Sequence, residues 1–204
     1  MKYFFLFLLN ALLITPTLAQ SETFQGNLPA WYETGTPKKL KRSKGKQLPR
    51  TVQFEFHPQK KVTDLEKKGF IWTARIPGEY FEAYLINNTA STLHIDQQDG
   101  SLTMIQEALN EDGEWHPIEF WIPSGCGNSY YPLSLKPKQM VLVPIKKYSG
   151  DFETQLRLKW KNDEKIFYSA PFLGSINRSQ FVKEKETVHG ILYHGKARYL
   201  DNSN

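Results

Sequence analysis

Residues 152–160 alternate without a break. Phe152, Thr154, Leu156, Leu158 and Trp160 fall on one side, and Glu153, Gln155, Arg157 and Lys159 on the other. A period of two is that of a β-strand with one face buried and one in water, whereas an amphipathic helix would repeat its apolar residues every 3.6 positions. A strand of this kind cannot be stable alone. Its apolar face needs a second layer to cover it, so the rest of the chain must supply a sheet.

The remaining sequence has the pieces for one. Val52, Phe54 and Phe56 alternate with Gln53 and Glu55 until His57-Pro58 ends the run. Further β-rich runs are expected at 70–75, 80–87, 92–96, 102–109, 115–122, 130–135, 140–145, 165–172 and 188–193. Turn dipeptides punctuate them: Pro77-Gly78, Asp99-Gly100, Asp112-Gly113 and Asn162-Asp163. Asp-Gly between β-rich runs is a hairpin signal, because both residues tolerate a positive φ. Helical expectations are limited to short turns at 62–68 and 177–181. About ten short strands with regular turn punctuation and no long helix predict an antiparallel β-sandwich. The chain's 13 Phe, 10 Tyr and 5 Trp are ample to fill its core.

The stretch Tyr148-Ser149-Gly150-Asp151-Phe152, with Thr154 beyond it, resembles the corner that precedes the F strand of immunoglobulin-like modules. Phe152 stands where those modules carry the corner tyrosine, and their cysteine pair between strands B and F is absent. The resemblance implies an immunoglobulin-like sandwich as architecture. It implies no activity, since sandwiches host many unrelated ones.

The first nineteen residues are of a different character. Lys2 is followed by an apolar run, then Pro16 and the small-residue ending Thr17-Leu18-Ala19. That order predicts a cleaved export signal. The run is shorter than the roughly 20 apolar residues a membrane span needs, and no second long apolar stretch follows. The expected organisation is a signal at 1–19, an extended basic arm at 20–50, a sandwich at 51–193 and a polar tail at 194–204. Within the arm, Leu28, Trp31 and Tyr32 are able to dock on the domain. Export normally brings disulfides, but Cys126 is the sole cysteine, so burial and sheet hydrogen bonds must provide the stability. A lone thiol of this kind is expected to be buried and inert.

The formal net charge of +5 is local. Residues 38–50 contain Lys38, Lys39, Lys41, Arg42, Lys44, Lys46 and Arg50 and no acid. Without those seven the mature chain carries 18 basic and 21 acidic residues, a net −3. The segment is a candidate for anionic cell-surface polymers or lipid headgroups. The export signal argues against nucleic acid. The plainer alternative is a solvated linker.

Other candidate chemistry is thin. Trp72, Trp115, Trp121, Trp160, Tyr130 and Tyr131 are the material for a sugar-stacking platform, although aromatics more commonly fill cores. Tyr130 and Tyr131 stand out because adjacent strand residues point to opposite faces, which leaves at least one of them facing solvent unless a loop covers it. Glu107 and Glu119 flank a hairpin turn and could oppose each other as a glycosidase-like pair. Cys126 with a distant histidine could form a nucleophile pair. The five histidines show no ligand spacing, so no metal or other cofactor is expected. Asn87 and Asn177 head glycosylation triplets. The expected function is therefore non-catalytic: an exported module with a binding or structural role outside the cytoplasm, its partner an anionic surface or another protein. A surface-attaching basic arm and a secreted hydrolase are the alternatives.

Overall fold

A computed structural model describes residues 27–40, 51–183, 187–189, 194–196 and 198–201. The expected signal and five of the seven basic-segment residues, Lys41, Arg42, Lys44, Lys46 and Arg50, lie outside the described residues. The strands are β1 (Leu28–Pro29), β2 (Lys38–Lys39), β3 (Val52–Lys61), β4 (Glu79–Asn87), β5 (Leu93–Ile95) and β6 (Gln97–Gln98). There follow β7 (Ser101–Leu102), β8 (Met104–Leu109), β9 (Trp115–Pro117), β10 (Glu119–Phe120), β11 (Leu133–Leu135) and β12 (Gln139–Lys147). The last are β13 (Phe152–Asn162), β14 (Lys165–Tyr168), β15 (Phe172–Ile176), β16 (Thr187–His189) and β17 (His194–Lys196). The helices among the described residues are short 3-10 turns at Thr73–Arg75, Gly127–Ser129 and Arg178–Phe181. No helix among the described residues is long and apolar enough to cross a membrane.

The fold is all-β and its two main sheets are antiparallel. One has the order β2-β12-β4-β3; in the other β13 pairs with β8, which pairs with β9, while β14 and β15 share the opposite edge of β13. The register places Leu156, Leu158 and Trp160 across from Ala108, Gln106 and Met104. Those six side chains therefore share one face. The main core cluster joins three of them to the other sheet, Leu158, Trp160 and Met104 packing with Ala83, Leu85, Val141, Val143 and Ile145; Leu156 and Ala108 pack in a second cluster with Ile118, Tyr148 and Ile176. Full burial of each such aliphatic side chain is worth about 1.5–3 kcal/mol.

The turn chemistry works as its residues dictate. Asp99 and Gly100 both have positive φ, 50° and 79°, and close the β6–β7 hairpin. That is the combination a two-residue hairpin requires. Gly113 does the same in the β8–β9 turn, and Asp163 in the β13–β14 turn.

Several expectations need correction. Residues 70–75 are not a strand but a turn running into the 3-10 helix, because Glu33 supplies their hydrogen bonds from outside. Its carboxylate accepts from the backbone N–H of Ile71 and Trp72, both at 3.0 Å, and of Thr73 at 2.9 Å. Strand β3 runs through Pro58 to Lys61 with a register shift after His57. A proline is tolerated there because β3 is an edge strand. The outward side of β13 is not uniformly wet. Lys159 is buried, pairing with Glu107 at 3.2 Å and Asp201 at 2.5 Å. Asp201 comes from the last described residues, where Leu200 joins the core, so this part of the expected polar tail is packed.

The N-terminal segment is likewise packed where it is described. Residues 27–40 are extended, but they belong to the fold rather than preceding it. Asn27 is fully buried and its amide donates to the carbonyls of Pro117 and Gln180 at 2.7 and 2.5 Å. Tyr32 sits in the core, and β2 adds to the edge of β12.

Candidate functional site

The loop between β10 and β11 carries two of the exposed aromatics, and β14 carries two more, Phe167 and Tyr168. The loop leaves the sheet at Trp121 and is tied down at three points. Ser124 N–H donates to the Gln98 side chain at 2.7 Å, and the Ser124 and Ser129 hydroxyls meet at 3.0 Å. Asp99 N–H donates to the Ser129 carbonyl at 2.7 Å. Gln98 is itself buried and donates to the Ile122 carbonyl at 3.1 Å. At the end of this braced loop stand Tyr130, 45% exposed, and Tyr131, 49% exposed. At least one of the two is expected in solvent, and both are there, because the strand placement behind that expectation does not hold. They lie ahead of β11, after a 3-10 turn, and so neither is forced inward. Tyr130 is held in place by its hydroxyl, which donates to the Ser124 carbonyl at 2.8 Å. Partial burial raises its pKa above the usual tyrosine range. Pro132 follows Tyr131 and restricts the backbone there.

The two rings rim a groove of about 380 Å³ whose other lining residues include Asp96, Gln97, Trp121, Pro132, Lys161 and Asp163. Trp121 is nearly buried. The β13–β14 turn supplies the polar side of the groove. Asp163 N–H donates to the Asp96 carboxylate at 2.6 Å, and the Asn162 side chain accepts from Asp96 N–H at 2.8 Å. Lys161 pairs with Glu164 at 3.3 Å.

The other aromatics that could have built a platform are elsewhere. Trp160 is core, Trp72 lies beneath the Arg75 guanidinium at 4.7 Å, and Trp115 beneath that of Arg157 at 4.4 Å. Lys38 and Lys39 are exposed on edge strand β2. They pair with Met140 and Gln139 and do not line the tyrosine groove. Cys126 is exposed, contrary to the expectation of a buried thiol, because its loop bulges from the sheet around the 3-10 turn. Asn87 is fully buried. Its amide donates to the Ser91 and Leu135 carbonyls at 2.8 and 2.7 Å, so it is no glycan acceptor in the folded chain.

Glu107 and Glu119 do not oppose each other. The register sets Glu107 across from Pro117. Glu107 serves Arg157, at 2.8 and 2.7 Å, and Lys159. Glu119 is 2% exposed in a network of its own. It accepts from the hydroxyls of Tyr32 and, at 2.5 Å, of Tyr148, and from Gln106 N–H at 2.6 Å. Gln106 also donates to the Lys146 carbonyl at 2.9 Å, joining the two main sheets. Burial pushes the Glu119 carboxyl above the usual range, against the pull of its three donors. Burial beside Glu119 also raises Tyr32 and Tyr148, while burial lowers Lys146. The network clasps the N-terminal segment onto the sheets. Sequence reading missed it because the partners are far apart along the chain, as with Glu33.

A larger groove of about 650 Å³ runs along the edge of the sheets past Phe81, Lys146, Thr154 and Phe172. Among the described residues, no group of three or more His, Cys, Asp or Glu is arranged to hold a metal ion. No protein-family model matches the chain, and no curated protein or solved structure is significantly similar to it.

Proposed function

We propose that this is an exported, non-catalytic binding module: an immunoglobulin-like β-sandwich whose working face is the groove under Tyr130 and Tyr131. The observation that carries this reading is the pair of half-exposed tyrosines on a loop braced by buried Gln98. Adjacent exposed apolar groups at a groove mark an interaction site more than scattered ones do, and tyrosine suits a binding face because it gives much contact area at little entropic cost. The core shared between the two main sheets supports the sandwich. The order of charged, apolar and small residues before Gln20 supports export.

Two measurements test the reading. N-terminal sequencing of exported protein should find a chain beginning at Gln20; one still beginning at Met1 refutes export. Hydroxyl-radical footprinting of the exported protein, mixed with washed envelopes of the cells that make it, should show protection of Tyr130 and Tyr131. Tyr168, equally exposed but on β14, serves as the internal control. Labelling of Tyr130 and Tyr131 that is unchanged by the envelopes refutes the groove as a binding face.

A second reading has an observation of its own. Lys38 and Lys39 are exposed on the edge of a sheet and continue into the rest of the basic segment. That favours attachment to an anionic polymer or lipid surface, which salt would weaken.

A further inference from the structure

We infer that the Tyr130–Tyr131 groove takes an uncharged saccharide, with pyranose rings stacked on the tyrosines and their hydroxyls held by the carboxylates that line the same groove. This rests on the groove being the binding face and adds the chemistry of what it binds.

The lining contains the two kinds of group a sugar needs. A pyranose presents a flat patch of C–H bonds, slightly positive, and the face of an aromatic ring is negative. Tyr130 and Tyr131 offer such surfaces half in water, with Trp121 beside them in the lining. A pyranose also carries vicinal hydroxyls, which donate well to carboxylates. Asp96 and Asp163 supply two carboxylates at the same groove. Asp96 spends only part of its accepting capacity on Asp163 N–H, since an ionised carboxylate has about four lone-pair sites. Aromatic rings and carboxylate acceptors lining one groove fit a ligand that is itself amphipathic in this way.

Charge disfavours the acidic sugars. The lining carries Asp96 and Asp163 against Lys161. Lys161 is itself paired with Glu164. A uronate, sulfate or phosphate would enter a negative field. A neutral glycan would not. The ligand chemistry of this groove is therefore opposite to that of the basic segment.

Size and rigidity agree. A volume of about 380 Å³ lies near the lower end of the usual range for small-molecule sites, about 300–1,000 Å³. That is room for one or two sugar rings. The Tyr130 hydroxyl bond and the serine pair at the loop's base fix the platform before any ligand arrives, which lowers the ordering cost of binding.

Isothermal titration of the purified exported chain tests this with cellohexaose, maltohexaose, mannohexaose and chitohexaose as neutral probes, and hexagalacturonate as the acidic one. At least one neutral hexasaccharide should bind, and more tightly than hexagalacturonate. Tyr131→Ala should weaken that binding by about tenfold or more, as removal of an aromatic anchor does. Tyr131→Phe should keep it, because stacking needs the ring. Asp163→Asn should weaken it while leaving the melting temperature unchanged. Silence from all four neutral probes overturns the proposal, as does tighter binding of hexagalacturonate or indifference to Tyr131→Ala. If envelopes still protect Tyr130 and Tyr131 from labelling, only the ligand class has failed. If they do not, the groove itself has failed as a binding face.

Discussion

Glu33 holds the N-terminal segment to the body of the protein, and its removal has a calculable cost. The carboxylate is nearly buried and accepts three successive backbone N–H groups, those of Ile71, Trp72 and Thr73. A hydrogen bond to a charged group is worth about 1.5–3 kcal/mol, and an orphaned buried donor costs about 1–3 kcal/mol. The Thr73 bond is buried and the other two are part-buried. Water would recover part of their share. Glu33→Ala should therefore lose about 2–4 kcal/mol, mainly at Thr73. Glu33→Gln can place its one oxygen where Oε2 now serves both Trp72 and Thr73, so its loss should be about 1 kcal/mol. Urea unfolding followed by tryptophan fluorescence measures both. With a slope of about 2 kcal/mol/M, the Ala midpoint should fall by about 1–2 M at unchanged slope. The released segment should also become sensitive to protease near residues 27–40. A loss below about 1 kcal/mol for Glu33→Ala would refute the reasoning, the range of an ordinary surface change. So would equal losses for Ala and Gln.

Three further outcomes follow from the packing. Leu158→Ala, at a core position 1% exposed, should cost about 2–5 kcal/mol by chemical denaturation; less than about 1 kcal/mol would mean that the faces of β13 are reversed. Gly150→Ala would set its Cβ 2.2 Å from the Ile176 carbonyl carbon and 2.3 Å from Asn177 N. Backbone cannot yield as a side chain does, so a loss of about 3 kcal/mol is expected; an unchanged melting temperature contradicts the close approach. Glu119 has a raised carboxyl pKa in the folded chain. The folded state thus binds the proton more tightly than the unfolded one, so this group adds stability at acid pH and loses it as pH rises through the raised value. Urea titrations above the usual carboxylate range should show a decline that flattens in Glu119→Gln; identical pH profiles would contradict it.

What the sequence made legible was local. The alternation of residues 152–160 located β13 and its buried face, because a strand's period is written residue by residue. The Asp-Gly pairs located two hairpins, because positive φ is a single-residue property. What it hid depends on distant partners. Residues 70–75 look like a strand until Glu33 is seen to supply their acceptors. Lys159 looks solvated until Asp201 and Glu107 enclose it. The runs at 102–109 and 115–122 were each visible as one strand, but each is split in two where the chain changes partners. At the candidate site, Tyr130 and Tyr131 were legible as unusual, though by an argument from strand alternation that does not apply to a loop. Asp96, Lys161 and Asp163 carried no signal, since the hairpin packing that gathers them is not local.

The central claim is that binding resides in the tyrosine groove and not in the basic segment. Depletion of the exported protein from solution by washed envelopes tests it most directly, with three proteins side by side in low and high salt. The account predicts that wild type and a lysine variant in which Lys38, Lys39, Lys41, Lys44 and Lys46 become Gln, together with Arg42 and Arg50, are depleted alike and with little effect of salt. It predicts that Tyr130→Ala/Tyr131→Ala stays in the supernatant with an unchanged circular dichroism spectrum. Retention of the tyrosine variant, with loss of binding in the lysine variant or at high salt, would contradict it.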